Sequence, residues 1–204
     1  ANRAILNYSK AESYYPRKYN GGSTVFSNNY YAKPPVIERK SVTLYSDITD
    51  RLRTKLKFTQ WSMDENDASI GDGLFPEVRL NLGGDSVYLG GDRYRGANHI
   101  MVDEDILVFK ADYDNDDNVL TFGIERTETD VYNLFIARYN GEIQFNSIED
   151  FETGMWSYLR FHTPIAGNDQ VGTAAADFSI EKDTMYLQNK WYAGDDLTFT
   201  FGFR

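Results

Sequence analysis

Residues 183–204 (DTMYLQNKWYAGDDLTFTFGFR) carry the sharpest hydrophobic pattern in the chain. Leu197, Phe199, Phe201 and Phe203 alternate with Thr198, Thr200, Gly202 and Arg204. A period of two puts four large apolar groups on one face of a strand and small or polar groups on the other. Ala193-Gly194-Asp195-Asp196 predicts a tight turn, so the stretch reads as a hairpin. The same alternation marks strands at 4–10, 40–48, 52–61, 106–113 and 119–126. Val42, Leu44 and Ile48 share a face in one; Leu120, Phe122 and Ile124 share a face in another. In 52–61, Leu52, Thr54, Leu56 and Phe58 oppose Arg53, Lys55 and Lys57. Three successive cations on one face need water or carboxylates beside them, on an outer surface or in a wet barrel lumen.

The connections form a second pattern. Those at 49–50, 114–118 and 193–196 are short; those at 11–37, 63–100 and 127–182 are long. Pro16, Gly21-Gly22, Asn28-Asn29 and Pro34-Pro35 punctuate the first long one. The others predict a local hairpin at 77–82 and 86–89 around Gly83-Gly84, another over 134–145 turning at Asn140-Gly141, and a short helix over 147–153 capped by Ser147. Strict alternation of short and long connections predicts an all-β, antiparallel up-and-down meander of about seven long strands. Tight turns lie on one rim and long loops on the other, as in outer-membrane barrels. The chain reads as one segment, 1–204.

Composition narrows the chemistry. There is no Cys, which excludes disulfides and thiolate sites, and the two His (His99, His162) leave little room for imidazole catalysis or zinc. A net charge of −10 argues against nucleic acid as a partner. A solvated acidic surface is the plainer account of it. No apolar run is long enough for a transmembrane helix. No leader is visible at Ala1, which fits either its removal or an excised piece.

The candidate sites are each weighed against a bland reading. Asp112, Asp114, Asp116 and Asn118, with Glu125, suggest calcium, but the required sixth-position glycine is Val119; a solvated turn fits better. Gly90-Gly91-Asp92 and Gly21-Gly22 lack the context of phosphate loops and read as turns. His99, in a loop after Arg93 and Arg95, could meet an anion but reads as merely exposed. Glu149, Asp150 and Glu152 read as the exposed side of a short helix rather than paired catalytic carboxylates. The chain is therefore expected to be no enzyme and to hold no cofactor and no metal. Trp191 and Tyr192, beside the short turn, fit either an aromatic girdle or packing at a strand end.

Several phrases resemble the barrel of TonB-dependent outer-membrane receptors, the Oar-like subgroup in particular. They are residues 25–32 (VFSNNYYA), 87–98 (VYLGGDRYRGAN), 120–145 (LTFGIERTETDVYNLFIARYNGEIQF), 147–154 (SIEDFETG) and 174–203. Their order and spacing over most of the chain carry the likeness. The resemblance implies active uptake of a scarce extracellular ligand across the bacterial outer membrane, by a multi-pass barrel energised from the inner membrane through TonB. It implies partners: outer-membrane lipid, the rest of the barrel, a plug domain and TonB, the last through parts not in this chain. It also implies that this chain is one part of a larger transmembrane β-barrel, since such barrels have roughly 22 strands around a plugged lumen. Leu120, Phe122, Ile124, Leu197, Phe199, Phe201 and Phe203 would then face lipid. Arg53, Lys55, Lys57, Thr198 and Thr200 would face the lumen. The alternatives are a soluble secreted β-sandwich that binds carbohydrate or protein through one loop-bearing end, and a complete small outer-membrane barrel. In the sandwich the apolar set would be its core.

Overall fold

A computed structural model describes residues 1–18, 23–71, 74–164 and 170–204. The expected Gly21-Gly22 turn lies outside the described residues. In chain order the strands are β1 (Asn2–Glu12), β2 (Tyr15–Arg17), β3 (Thr24–Val25), β4 (Tyr31–Lys33), β5 (Val36–Asp47), β6 (Leu52–Asn66), β7 (Ala68–Ser69), β8 (Glu77–Leu82), β9 (Asp85–Gly90), β10 (Asn98–Asp114), β11 (Asn118–Phe135), β12 (Glu142–Phe145), β13 (Tyr158–Arg160), β14 (Ala176–Tyr192) and β15 (Thr198–Phe203). One helix, α1 (Ile148–Thr153), and two short 3-10 turns complete the list.

Seven strands build one antiparallel sheet in the order β1-β5-β6-β10-β11-β14-β15. Every neighbour in that sheet is the next long strand along the chain, which is the expected meander. β1 and β15 are its edges, and the sheet is not closed into a barrel. The strands are longer than the alternation predicted: β10 has 17 residues and β11 has 18. The polar outer halves, such as Arg126, Glu128 and Asp130, hid the continuation because both of their faces are polar enough to read as loop.

The short rim is held by side-chain turns. Thr49 Oγ1 accepts from the backbone N–H groups of Arg51 (3.2 Å) and Leu52 (3.0 Å). Asp114 accepts from Asp116 N–H (3.1 Å), and Asn115 accepts from Asn118 N–H (3.0 Å). Such side-chain-to-backbone bonds replace ladder bonds where a strand must reverse.

The long connections are not irregular loops. They weave a shared cap at the opposite rim. A five-stranded sheet has the order β13-β12-β8-β9-β3, and a three-stranded one the order β2-β4-β7. Each cap sheet thus takes strands from more than one connection. The hairpin expected at 77–82 and 86–89 is there as β8 and β9, with Gly83 at φ 70° in its turn. The hairpin expected over 134–145 is not. Leu134 and Phe135 end β11, Arg138 (φ 62°) and Gly141 (φ 101°) bend the chain, and β12 runs parallel to β8. Local turn chemistry was read correctly, but tertiary pairing chose a different partner. The short helix formed as expected: Ser147 Oγ accepts from Asp150 N–H (3.0 Å), and Gly154 closes it in the left-handed region. Among the described residues its acidic residues Glu149, Asp150 and Glu152 form no ion pair.

Candidate functional site: two faces of the sheet and the cap above them

The pairing register places side chains level with one another across the sheet. One such row is Ala4, Leu44, Leu56, Phe109, Ile124 and Met185. The next row toward the short turns is Asn2, Ser46, Thr54, Ala111, Phe122, Leu187 and Phe203. Leu120 shares a row with Tyr113 and Asn189, and Phe201 extends it. Trp191 is level with Phe199, and their rings stack at 5.6 Å. Leu197 lies one residue before β15. The expected apolar set therefore gathers on one face, and every strand of the sheet contributes to it.

The limits of this apolar band drift. On β1 it runs from Ala4 to Tyr8, yet the position level with Tyr8 on β5 is Lys40. Its upper limit is Phe58 on β6 and Leu107 on β10, but the position level with Leu107 on β11 is Arg126. There the limit falls to Ile124, level with Met185 on β14. The lower limit moves the same way, to Trp191 on β14 and to Phe199 and Leu197 at β15. The band's centre shifts by about seven residues across six strand-to-strand steps. At about 3.3 Å per residue and about 4.8 Å between strands, it crosses the hydrogen-bond rows at roughly 40°.

Exposure alternates in the sense opposite to that of a sheet packed on a hydrophobic core. Val42, Leu44, Leu56, Phe58, Leu107, Leu120, Phe122 and Ile124 are 37–47% exposed. Thr43, Thr59 and Thr121, on the other face, are 2–8% exposed. Among the described residues no second layer buries the apolar band, and the polar face is the sheltered one. Gly123 on that face lies under the ring of Tyr186, its cross-strand partner; a Cβ there would stand 2.1 Å from Tyr186 Cζ.

Arg53, Lys55 and Lys57 lie on the polar face, and so do Thr198 and Thr200, level with Tyr192 and Lys190. Tyr192 belongs to this face, with the Lys190 ammonium 4.8 Å from its ring centre. It therefore does not share a girdle with Trp191. The residue two positions on from another keeps its face, and the adjacent one does not.

The acidic turn is used internally. Asp112 accepts from Thr121 Oγ1 (2.6 Å) and pairs with Lys110 (2.9 Å), and Asp116 pairs with Arg51 (2.7 Å). Among the described residues no group of three metal-ligating side chains is assembled.

The cap is locked by buried ions that join its three connections. Glu77 at the start of β8 is 1% exposed. It accepts from Asn29 Nδ2 (3.3 Å) and lies 3.4 Å from the Arg93 guanidinium. Arg93 also donates to Glu142 (2.8 Å), which is held by Arg138 and by Tyr158 Oη (3.3 Å). Asn29, Glu77 with Arg93, and Glu142 with Arg138 come from the first, second and third connections respectively. Burial pushes the Glu77 carboxyl above its ordinary range despite Arg93. Burial does the same for Asp92, against the N–H bond from Tyr94 and nearby Arg95, and for Asp67, against Arg95 and Lys33. For Glu142 the upward push of burial is outweighed by Arg138 and Arg93, so its carboxyl lies low.

Arg93, Arg95 and His99 are thus not presented to an anion. Arg95 lies 3.4 Å from Asp67 and 4.4 Å over the Tyr31 ring. His99 sits in β10, not in a loop, with Nε2 2.8 Å from Asp64. Gly90-Gly91-Asp92 ends β9 where the backbone of Pro76 passes; a Cβ on Gly90 would stand 2.0 Å from that carbonyl oxygen. The sequence held no signal for the ionic hub, because its members are far apart in the chain. No family model matches the chain, and neither a curated protein nor a solved structure matches it.

Proposed function

We propose that the chain is wall of a transmembrane β-barrel in the bacterial outer membrane, belonging to a TonB-dependent receptor that takes up a scarce extracellular ligand. One observation carries the barrel reading: an exposed apolar band crossing the hydrogen-bond rows at roughly 40°, the tilt of about 35–45° that strands take in outer-membrane barrels. A horizontal slab of lipid meets tilted strands in such an oblique band. A soluble sandwich needs no such slant, and it would bury these residues under a second sheet.

Further support comes from the rims. Tight turns sit at one end and the cap at the other, as short periplasmic turns and long external loops do. Tyr8 lies at the band's upper edge, and Tyr113 and Trp191 at its lower edge, where interfacial aromatics belong. Each strand crosses the band in roughly 20 Å of its length. With the tilt this gives a vertical extent of about 15 Å, shorter than the about 25 Å of a full outer-membrane band. The receptor class and energised uptake rest on the sequence resemblance. In this reading the open edges β1 and β15 pair with the rest of the barrel, a plug occupies the lumen, and TonB acts through parts outside the seven strands. The chain has no catalytic role.

The chain's lack of cysteine makes a direct test simple. Leu187 and Gln188 are neighbours in β14 on opposite faces. Single variants Leu187→Cys and Gln188→Cys, labelled with an environment-sensitive fluorophore in phosphocholine vesicles, should divide. A lipid-borne quencher should reach the label at 187, and an aqueous one the label at 188. A monodisperse monomer in water, free of detergent, with a sharp melting transition and equal aqueous quenching at both sites, would overturn the reading.

A further inference from the structure

The polar face of the sheet carries a patch in which cations outnumber carboxylates. Arg3, Tyr45, Lys55 and Lys110 lie level with one another on four successive strands. The Arg3 guanidinium sits 4.6 Å from the centre of the Tyr45 ring, and the Lys55 ammonium, from the other neighbouring strand, 5.9 Å from it. Arg53 and Lys57 flank Lys55 along β6. Lys55 and Lys110 are direct cross-strand partners, and like charges so placed are destabilising. Lys110 turns to Asp112, but among the described residues Arg3, Arg53, Lys55 and Lys57 form no ion pair. Acidic residues outnumber basic ones 31 to 21 in this chain, yet here only Asp47 and Asp112, both level with Arg53, lie among the five cations. In the cap, by contrast, the buried guanidinium of Arg93 is matched by two carboxylates.

We propose that this patch is the docking surface for a carboxylate-rich protein segment lying against the polar face of the sheet. Charge complementarity names the occupant, and dimensions separate it from a small anion. Four strands and three rows cover about 15 by 13 Å. That is too broad and open for one solute to reach every cation, and suits an acidic helix or strand laid across it, with Tyr45 as a central apolar contact. The occupant supplies the field that makes the Lys55–Lys110 juxtaposition tolerable. The inference deepens the barrel reading, in which this face looks into the lumen, but its charge geometry is independent of lipid.

The test uses the chain in a nonionic detergent with a fluorescein-labelled decaglutamate peptide, followed by anisotropy. Binding is expected at about 0.05 M salt and largely lost at about 0.5 M, where the Debye length is only a few ångströms. Lys55→Glu/Lys57→Glu should weaken it by about tenfold or more. Lys10→Glu/Lys40→Glu, the same charge change on the opposite face, should leave it within about twofold. If far-UV circular dichroism shows that the first variant misfolds, Lys55→Gln/Lys57→Gln replaces it with the same expected direction. Equal weakening by both charge-reversal pairs, displacement of the peptide by citrate at matched carboxylate concentration, or no binding would each overturn the proposal. Failure of the 187/188 quenching contrast with peptide binding intact would remove the barrel and leave the docking surface standing.

Discussion

Phe122 stands near the centre of the apolar band, level with Leu187 on β14 and Ala111 on β10. It is 38% exposed, so in water a polar replacement would touch little. Exposed substitutions away from special features stay within about 0.5 kcal/mol. In a bilayer the same position is near the midplane, where a lipid-facing lysine costs about 2–4 kcal/mol. The two readings therefore differ in Phe122→Lys by a factor of roughly a hundred in the folding equilibrium. Gln188→Lys is the matched control. It adds the same charge on the polar face, level with Thr121 and one strand away. Urea unfolding from phosphocholine vesicles, with slopes of about 3 kcal/mol/M or less, should shift the Phe122→Lys midpoint down by about 1 M or more. The Gln188→Lys midpoint should barely move. Equal midpoints for the two variants, or a neutral Phe122→Lys, would refute lipid exposure of this face.

Other expectations concern the cap and the strand packing. Arg93→Met leaves Glu77 and Glu142 buried without their shared cation, and should weaken the cap by about 3–5 kcal/mol. Protease cleavage within 136–175 should accelerate while amide protection in β10 and β11 persists; unchanged cleavage would contradict the hub. Gly123→Ala forces the Tyr186 ring off its partner strand and should cost about 1–3 kcal/mol. In Gly123→Ala/Tyr186→Ala the two costs should be less than additive, as read from urea midpoints. Cap stability should also depend on pH with a turning point. Glu77, Asp92 and Asp67 carry raised pKa values, so the folded cap binds their protons more tightly than the unfolded chain does, and stability rises as pH falls from neutral. Glu142 is lowered, so its contribution is lost below the ordinary carboxylate range of about 4. Hydrogen exchange of β8 and β12 should slow from pH 7 toward that range, after correction for intrinsic rates, and quicken below it. A monotonic loss of protection from pH 7 downward would refute this balance.

The meander was legible because its signal is local. Alternation in Leu120, Phe122 and Ile124, and in Phe199, Phe201 and Phe203, needs no knowledge of the partner strand, and short turns announce themselves in Asp/Asn/Gly clusters. The cap was not legible, because β12 finds β8 across some sixty residues and in parallel. Asn140-Gly141 gave a real turn and a wrong hairpin for that reason. The slant of the apolar band was equally hidden. Each strand's own pattern shows which residues share a face, while only the register shows how far the band slips between strands. The cations of β6 were visible, but their surroundings were not, since Lys110 and Asp112 approach them from a strand some fifty residues away.

The chain's net charge of −10 takes on a different meaning once it is placed along the strands. A membrane-crossing strand needs about 9–11 residues; β10 and β11 have 17 and 18. In the barrel reading, at roughly 40° of tilt, they would rise about 45 Å, well beyond a band of about 25 Å. The surplus lies on the cap side. There the face that is apolar below carries Glu38, Asp103, Asp105, Glu128, Asp130, Glu181 and Asp183. Nearer the short turns the opposite face gathers Arg3, Arg53, Lys55, Lys57, Lys110 and Lys190. Acidic groups thus predominate on the one surface, where Lys40 and Arg126 pair among them, and basic groups on the other, where Asp47 and Asp112 lie among them. An acidic total argues against a nucleic-acid partner for the surface beside the cap, yet conceals a cationic patch that the same total taken alone would forbid. In a sheet with two unlike faces, net charge is a sum over surfaces that meet different surroundings. The partner of each surface has to be argued from its own row of side chains.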